Sequence, residues 1–348
     1  MQKKGDRFGT HRVIEPPGVL PQLADRLDND MSEIFDNEIL CDVITLNIDS
    51  ASFKVILDKA DGQDEKIEQI MRDIVAKQGK HRNPWTGSGG MFIGRVAKIG
   101  DALRGKIDLR EGDKIASLVS LSLTPLRIDS FTAIRKDNDQ VDIKGQAILF
   151  ESAIWAKLPD DLDEKLALAV LDVAGAPAQV AKLVKPGDTV LVIGANGKSG
   201  VLCCYEAKKR AGIAGKVIGS VRREDAVPIV RDSGFVDEVI IANADQPLEM
   251  LAAVEAATDG ELADVVINCV SRENCEMGSI LPCKDGGLVY FFSMATDFTK
   301  AALGAEGVGK DVTMIIGNGY TKHHAAIALN LLRESPYIRK VYTERYAG

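Results

Sequence analysis

The amino-acid sequence predicts an α/β protein built from a β-rich part, residues 1–152, and a doubly wound parallel sheet, residues 153–320. Three observations lead to this fold class. An apolar strand runs into a glycine-rich turn and a helix near residue 190, strands and helices alternate after that turn, and short strands without regular helices precede it. The chain of 348 residues is also longer than one core usually organises.

The glycine-rich turn follows an apolar run of strand length, Val190 to Ile193. Its glycines recur every third residue, and Ser199 is predicted to be the N-cap of a helix that ends at Gly212. A strand, a glycine turn and a helix N-terminus in this order present backbone N–H groups to a pyrophosphate, so the pattern predicts a Rossmann dinucleotide site. The alternative is a tight turn that needs glycine for positive φ and binds no ligand. The predicted cofactor-binding residues here, which we call the fingerprint turn, are Gly194, Ala195, Asn196, Gly197, Lys198, Ser199 and Gly200.

The end of the next strand, Lys216 to Val221, predicts which dinucleotide binds. An acidic residue at this point binds the ribose of NAD, whereas an arginine accommodates the 2′-phosphate of NADP. Arg222 and Arg223 follow the strand and Ser220 lies beside them, so these residues favour NADP. The alternative is that both arginines begin a solvated helix and that NAD is the cofactor.

Alternating strands and helices continue the sheet after the second strand. Further strands are predicted at 236–242, 263–270, 287–293 and 312–316, with helices at 247–257 and 272–282. Ligands of such sheets lie at the carboxyl ends of the strands. This placement adds Asn268, Cys269, Val270 and Ser293 to the predicted cofactor site, with 294–296 and 317–319 on the same side.

The β-rich part is predicted to contain strands at 38–46, 91–99 and 114–123. After residue 321 a last helix leads into a tail, and residues 321–348 are expected to return to the β-rich domain. A single helix interrupts the strands at 64–78, because its apolar residues fall on one helical face: Ile67, Ile70, Met71, Ile74 and Val75.

Composition is typical of a soluble enzyme. The net charge of −8 argues against a nucleic-acid partner, and no apolar run is long enough to span a bilayer. The charged start, residues 1–7, lacks the apolar segment of a signal peptide, so a cytoplasmic location is expected. The six cysteines form no C-x-x-C pair and have no histidines at ligand spacing, so neither a disulfide framework nor a metal site is predicted.

Three motifs give the chain a resemblance to a known family. They are Gly89 to Gly100, Arg110 to Ile115, and Lys185 to Asp188 just before the fingerprint turn. With them the sequence resembles the medium-chain dehydrogenase/reductase family, which implies a β-rich, GroES-like catalytic domain ahead of the Rossmann domain. Zinc-dependent members carry a cysteine ligand in the loop that here reads Leu46 to Ser52, and the four cysteines of their structural zinc lobe are missing. The resemblance therefore implies a zinc-free member.

Within that family, the segments Phe8 to Pro16, Gly18 to Gln22 and Asn47 to Phe53 resemble the enzymes that deaminate L-erythro-3,5-diaminohexanoate in bacterial lysine fermentation. The resemblance implies oxidative removal of the 3-amino group, giving 5-amino-3-oxohexanoate and ammonium. It also implies NAD, whereas Arg222 favours NADP, so both cofactors stay open. Metal-free relatives are often dimers through the cofactor domain, which implies a homodimer. A zinc-free quinone or enoyl reductase fits the same motifs, as does a cofactor-binding protein without catalysis.

The implied reaction needs a base that takes a proton from an ammonium group and then from water, and a cation for the substrate carboxylate. Asp49 is the main candidate for the base or for an ammonium anchor, with Ser50 and Ser52 as hydrogen-bond partners. Arg12 is the candidate ligand of the carboxylate. For each acidic candidate, a surface or turn position without a catalytic role is an equally valid interpretation.

Glu15 and Glu151 are the other candidate bases. Histidines are also candidates for proton transfer near neutral pH. His81 belongs to a loop that is expected to reach the cleft, and the adjacent His323 and His324 are expected to face solvent at the start of the last helix.

Overall fold

A computed structural model shows two compact units, Met1–Asp160 and Asp161–Gly348. It describes residues 2–293, 295–317 and 320–346, so Met294, Asn318 and Gly319, which the sequence placed on the cofactor side, lie outside the described residues. The boundary between the units follows residue 160, whereas the sequence placed it after residue 152.

The first unit is built on an antiparallel sheet of six strands. The two short strands β1 (Val13–Glu15) and β2 (Arg26–Leu27) pair separately. The six strands are β3 (Glu38–Asn47), β4 (Met91–Ile99), β5 (Lys114–Ser117), β6 (Leu126–Arg135), β7 (Gln140–Phe150) and β8 (Trp155–Lys157). They lie in the order β6-β7-β3-β4-β5-β8.

Two helices, α1 (Ser50–Lys59) and α2 (Asp64–Gln78), pack into the same core as this sheet. The apolar spacing predicted α2 with these bounds. Gly79 ends the helix in the left-handed conformation, at φ +67°. Each large apolar side chain that is fully buried stabilises the fold by about 2 kcal/mol. The predicted face is the buried one: Ile67, Met71, Ile74 and Val75 are buried and Ile70 is partly buried.

The second unit contains the parallel sheet that the sequence predicted. Its strands lie in the order β11-β10-β9-β12-β13-β14, and every adjacent pair is parallel. They are β9 (Thr189–Ile193), β10 (Lys216–Val221), β11 (Glu238–Ile241), β12 (Ala263–Asn268), β13 (Cys283–Phe291) and β14 (Thr313–Ile316). The sheet separates two buried clusters, and the order reverses beside β9, as in doubly wound folds.

Nine helices of this unit lie in the described residues. They are α3 (Glu164–Leu171), α4 (Gly175–Leu183), α5 (Lys198–Ala211), α6 (Val227–Arg231), α7 (Pro247–Ala257), α8 (Glu276–Ile280), α9 (Phe298–Gly307), α10 (His324–Glu334) and α11 (Pro336–Tyr346). No single helix in residues 2–293, 295–317 and 320–346 is long and apolar enough to cross a membrane. Helices α3 and α4 pass that test only as a pair bent by 54°.

Three local expectations are wrong. The N-cap of α5 is Gly197, and Ser199 is buried inside the first turn, because the extended ψ of 171° at Gly197 starts the helix earlier. The end of the chain forms two helices rather than one helix and a tail, since Pro336 cannot continue α10 and instead begins α11. His324 is buried instead of facing solvent.

The last two helices pack on the second unit. Helix α10 contacts α3 and α4, and α11 contacts α3 and α5. The apolar face of this helix pair explains the packing: Leu329, Leu331, Leu332, Ile338 and Val341 are buried.

Candidate functional site

The fingerprint turn has the backbone that a pyrophosphate requires. Gly194 adopts φ +80°, and a Cβ atom there would lie 2.7 Å from Val270 Cγ1. A Cβ on Gly200 would lie 2.0 Å from the carbonyl oxygen of Gly194, so only glycine lets α5 approach the strand this closely. The N–H groups of Gly194 and Ala195 both donate to the carbonyl oxygen of Ser220, at 3.1 and 3.0 Å, which ties the turn to β10.

A cavity of about 500 Å³ opens beside this turn. It lies at the carboxyl ends of β9, β10 and β12, where ligands of doubly wound sheets bind. Eight of the predicted cofactor residues line it: Gly194, Asn196, Gly197, Ser220, Arg222, Arg223, Cys269 and Val270.

The remaining predicted cofactor residues do not line the cavity. In the fingerprint turn, Ala195, Ser199 and Gly200 are buried, and Lys198 Nζ donates to Asp172 at 2.7 Å. These residues therefore shape the turn and the start of α5.

Asn268 and Ser293 also hold loops instead of facing the cavity. Asn268 is buried, its Nδ2 donates to Ser279 Oγ at 2.8 Å, and its Oδ1 accepts from the N–H of Val270 at 3.0 Å. Ser293 Oγ accepts from the N–H of Ala295 at 3.1 Å. Asn268 and Ser293 therefore hold the backbone of Val270 and Ala295, and a contact of either residue with the cofactor stays a prediction.

The two arginines after β10 differ in what their guanidinium groups contact. Arg223 Nε donates to Asp225 Oδ1 at 3.0 Å. Arg222 is exposed at the cavity and has no ion-pair partner in the part of the chain that the structure describes. Arg222 is therefore available for an anionic group, whereas Arg223 is partly engaged.

The sequence did not predict a third arginine at this cavity. Arg272 lines it and forms an ion pair with Asp245, and the loop residues Asn243 and Ser271 line it too. These residues come from the segments after β11 and β12. The carboxyl-end rule would have included both segments, but Arg272 was instead assigned to the start of a helix.

In the first unit, Asp49 occupies the N-cap position of α1 without acting as a cap. An N-cap aspartate usually accepts a hydrogen bond from the backbone of the first turn. The Asp49 side chain makes no such bond, is exposed, and accepts a hydrogen bond from the Ser88 hydroxyl. The Asp49 carboxylate is therefore free for a role other than capping the helix.

Neighbouring polar residues connect the Asp49 turn to the loop at 83–88. Ser52 is buried and its Oγ lies 2.6 Å from Thr86 Oγ1. Asn83 Nδ2 donates to the carbonyl oxygen of Ser52 at 3.0 Å. Ser50 instead donates to Asp139 at 2.5 Å. Ser50 and Ser52 therefore brace the Asp49 turn from two sides, and the structure gives neither a hydrogen bond to Asp49.

Arg12 does not have a free guanidinium, which corrects its predicted role toward a substrate carboxylate. The side chain is 2% exposed, and Nε and Nη2 donate to the two carboxylate oxygens of Glu38, at 2.9 and 2.8 Å. The remaining donors bond Asp28 and the carbonyl oxygens of Asp30 and Glu33. Burial opposes ionisation of Glu38, but hydrogen bonds from His11 and Arg12 outweigh it and lower the pKa of the carboxyl group.

The three candidate carboxylates do not converge. Strand β3 pairs with β7 from Glu38 opposite Phe150 to Asn47 opposite Gln140. Ten residues of extended chain span about 30 Å, so Glu151, next to Phe150, lies at the far end of the ladder from the Asp49 turn. The structure separates these two candidates.

Glu15 is exposed on a cleft of about 870 Å³ in the first unit. Asp25, Arg82 and Trp85 line the same cleft, and so does Asn83, which contacts Ser52. Glu15 therefore lies on a cleft that the 83–88 loop borders, and the Asp49 side chain contacts Ser88 of the same loop.

His81 does not reach a cleft, contrary to expectation. Its side chain is fully buried. Burial lowers the pKa of the ring to about 4, and the nearby Gly89 backbone opposes the shift only in part. The ring is therefore neutral at physiological pH and belongs to the packing of the loop.

The architecture and the fingerprint turn define a medium-chain dehydrogenase/reductase fold. A mycobacterial quinone oxidoreductase is 16% identical over 92% of this chain and 86% of that chain, with a TM-score of 0.55. The enoyl reductase CurK is 15% identical over 88% of this chain and 78% of that chain, with a TM-score of 0.51. These likenesses confirm the fold.

The chain belongs to the L-erythro-3,5-diaminohexanoate dehydrogenase family. The family's N-terminal domain matches residues 11–159. The chain is 62% identical to L-erythro-3,5-diaminohexanoate dehydrogenase of Acetoanaerobium sticklandii and 60% identical to that of Fusobacterium nucleatum, over 99% of each chain in both cases. The resemblance seen in the sequence is confirmed.

Proposed function

We propose that this protein catalyses the NAD(P)-dependent oxidative deamination of L-erythro-3,5-diaminohexanoate to 5-amino-3-oxohexanoate and ammonium, a step of lysine degradation. The observation that carries the proposal is full-length identity of 60% or more to two dehydrogenases of this name. The fingerprint turn and its cavity support it, because they provide what a dinucleotide needs.

The described residues fit a nicotinamide dinucleotide. Gly194 and Gly200 leave room where a Cβ atom would meet backbone or Val270, and the N-terminus of α5 points at the cavity with N–H groups that have no partner inside the helix. Two NADPH complexes share this fold, one of a mycobacterial protein and one of the Escherichia coli quinone oxidoreductase. When bound, the nicotinamide would supply the hydride acceptor of the reaction.

Asp49 is the residue that we assign to proton transfer. An ammonium group must lose a proton before its carbon can be oxidised, and the carbon must then gain oxygen from a deprotonated water. A carboxylate can take both protons in turn. Asp49 Oδ2 accepts the Ser88 hydroxyl, which orients the carboxylate while leaving its exposed side accessible to an ammonium group.

Arg222 is the residue that we assign to the adenosine end. The free guanidinium favours the 2′-phosphate of NADP, as the residues alone indicated, whereas the resemblance implied NAD. Arg272 adds a third positive charge to the cavity that Arg222 and Arg223 line, although Asp245 neutralises part of it. We therefore propose that the enzyme accepts NADP, and the comparison with NAD is the measurement that decides.

The proposed activity is tested with purified protein and L-erythro-3,5-diaminohexanoate. Reduced nicotinamide and ammonium should form in equal amounts with NAD or NADP. Parallel reactions contain the reduced coenzyme with a quinone or with an enoyl thioester, and they test the reductase alternative. Turnover of a quinone or an enoyl thioester without turnover of the diamino acid would contradict the proposal in favour of that alternative. Coenzyme binding without turnover of any of these compounds would favour a non-catalytic protein.

We also propose a homodimer through the second unit. Strand β14 is an edge of the parallel sheet, and an edge strand presents unpaired backbone groups to a second chain. Exposed apolar side chains lie on β14 and on the preceding segment: Phe298, Leu303, Val308 and Ile316. An interface with a second copy would bury these side chains.

A further inference from the structure

The last helix of the chain is hydrogen-bonded to the fingerprint turn. Tyr342 Oη donates to the carbonyl oxygen of Lys198 at 2.6 Å. One turn further, Arg345 Nη1 donates to the carbonyl oxygen of Asn196 at 2.8 Å. Both acceptors lie where the fingerprint turn becomes α5, so α11 contacts the part of the dinucleotide site that binds phosphate.

Burial and packing hold the Tyr342 part of this contact in place. Tyr342 is fully buried, and a buried phenol requires a hydrogen-bond acceptor, which here is Lys198. The ring of Tyr346 lies 5.1 Å from that of Tyr342 and also stacks with the cations of Arg345 and Lys198, at 5.1 and 5.8 Å. The end of α11 is thereby fixed against the turn by packing as well as by hydrogen bonds.

Holding a carbonyl oxygen also orients the N–H group of the following residue. The two groups share one planar trans peptide and point in opposite directions. The Tyr342 bond therefore orients the N–H of Ser199, which is among the first N–H groups of α5 and has no partner inside the helix. The Arg345 bond orients the N–H of Gly197, which donates to Gly194 at 3.0 Å and closes the turn.

We propose that Tyr342 and Arg345 are positioning residues for the dinucleotide. They hold the fingerprint turn in the conformation that receives the pyrophosphate, so that less ordering is needed when the coenzyme binds. The inference rests on the proposed coenzyme site and adds to it a role for the C-terminal helix. Loss of either contact weakens coenzyme binding, while turnover at saturating coenzyme stays near its normal value because neither residue is placed at the reacting groups.

The test compares Tyr342→Phe and Arg345→Gln with the wild-type protein. Binding of NADH and NADPH is followed by fluorescence titration, and KM for the coenzyme and kcat are measured separately. Each variant should bind the coenzymes about tenfold more weakly, the usual effect of one lost hydrogen bond, with KM raised and kcat little changed. Arg345→Lys keeps a donor and should recover most of the affinity.

The matched control is Thr343→Val. It removes a hydroxyl from the same helix, but that hydroxyl donates to Arg339 within the helix, at 2.8 Å, so coenzyme affinity should not change. Unchanged affinity in both test variants would overturn the inference, whatever their melting temperatures. If Tyr342→Phe does not fold, the coenzyme affinity of Arg345→Gln decides the test, because Arg345 is exposed. Failure of the wild-type protein to bind either coenzyme would overturn the coenzyme site itself.

Discussion

Asp49 lies shortly after the end of β3, and its carboxylate does not cap the helix that follows. It precedes α1 directly, yet its side chain does not cap the helix and accepts only the Ser88 hydroxyl among the described hydrogen bonds. Structural aspartates of this chain behave differently: Asp163 caps α3 by accepting from the N–H of Leu166 at 3.1 Å. An exposed carboxylate held by one hydroxyl is suited to exchange protons with a bound ammonium group.

Asp49→Asn should lower turnover by about two orders of magnitude or more, because acid–base terms usually have this size and an amide cannot accept the proton. Coenzyme affinity and the melting temperature should stay close to normal. Steady-state kinetics with diaminohexanoate check the prediction. The control is Asp58→Asn in α1, an exposed aspartate paired with Lys54 at 3.0 Å, which should leave turnover unchanged. Near-normal turnover in Asp49→Asn would contradict this assignment and indicate that Glu15 or Glu151 is the base.

Arg222→Ala should weaken NADP by about tenfold or more and NAD by much less. A charge-assisted hydrogen bond to a phosphate exists only for NADP, and its loss accounts for the difference. Dissociation constants of both coenzymes, measured by titration, check the prediction. Arg223→Ala is the matched control and should have the smaller effect, because Asp225 already engages that guanidinium. Equal losses for the two coenzymes would remove the assignment of Arg222.

Single residues were the hardest part to predict from sequence. Arg12 looked available for a carboxylate because its main partner, Glu38, lies on β3, 26 residues further along the chain, and no local pattern shows the pairing. Arg272 was missed because its segment was assigned to the start of a helix, and its pairing with Asp245 of a different loop is not visible in the sequence either. Whether a charged group is free or paired depends on which segments the sheet order brings together, and that information is not local in the sequence.

Among the elements, the strand, glycine turn and helix of the fingerprint were the most predictable. Apolar runs defined β9 and β10, and positive φ together with close approach explains why glycine stands at 194 and 200. The helix start was off by two residues because an extended Gly197 can act as an N-cap without a side chain. The apolar face of α2 likewise predicted its bounds, since burial requires a helical period.

The stability of the folded protein should depend on pH through His81, which lies in the loop at 79–90. Its pKa is about 4 in the folded protein and near 6.5 in an unfolded chain. Between these values the unfolded state binds a proton that the folded state does not, so stability is complete above pH 6.5 and falls as the pH decreases toward 4. The free energy of unfolding should fall by up to about 1.4 kcal/mol per pH unit in this window, as urea titrations at several pH values would measure.

His81→Gln should flatten that part of the pH profile, and His323→Gln, an exposed control, should keep it. NMR titration of the His81 ring gives an independent readout if His81→Gln is unstable. A ring that titrates near pH 6.5 in the folded protein would contradict the prediction.

For the molecule as a whole, the sequence indicated two domains and the parallel strands of the second, but it did not show α1 or the strands β6 and β7. An amphipathic helix reveals that it packs, through residues such as Leu332 and Ile338, without revealing against which surface. The surface is chosen by shape and by polar contacts such as that between Tyr342 and Lys198, which join residues far apart in the sequence. The expected return to the first domain came from the family resemblance and stays a prediction.

The edges of the parallel sheet lead to a prediction about assembly. At one edge, β14 carries Ile316 at 41% exposure, and at the other edge Leu248 of α7 is 73% exposed. If β14 forms the proposed dimer interface, a lysine there would place two like charges close together across a two-fold axis, whereas the same change near β11 would meet only water. In light scattering, the wild-type protein should therefore have twice the mass of one chain, and Ile316→Lys should have the mass of one chain. Leu248→Lys should remain dimeric. A wild-type monomer at micromolar concentration would exclude the dimer, and dissociation by Leu248→Lys alone would move the interface to the β11 side.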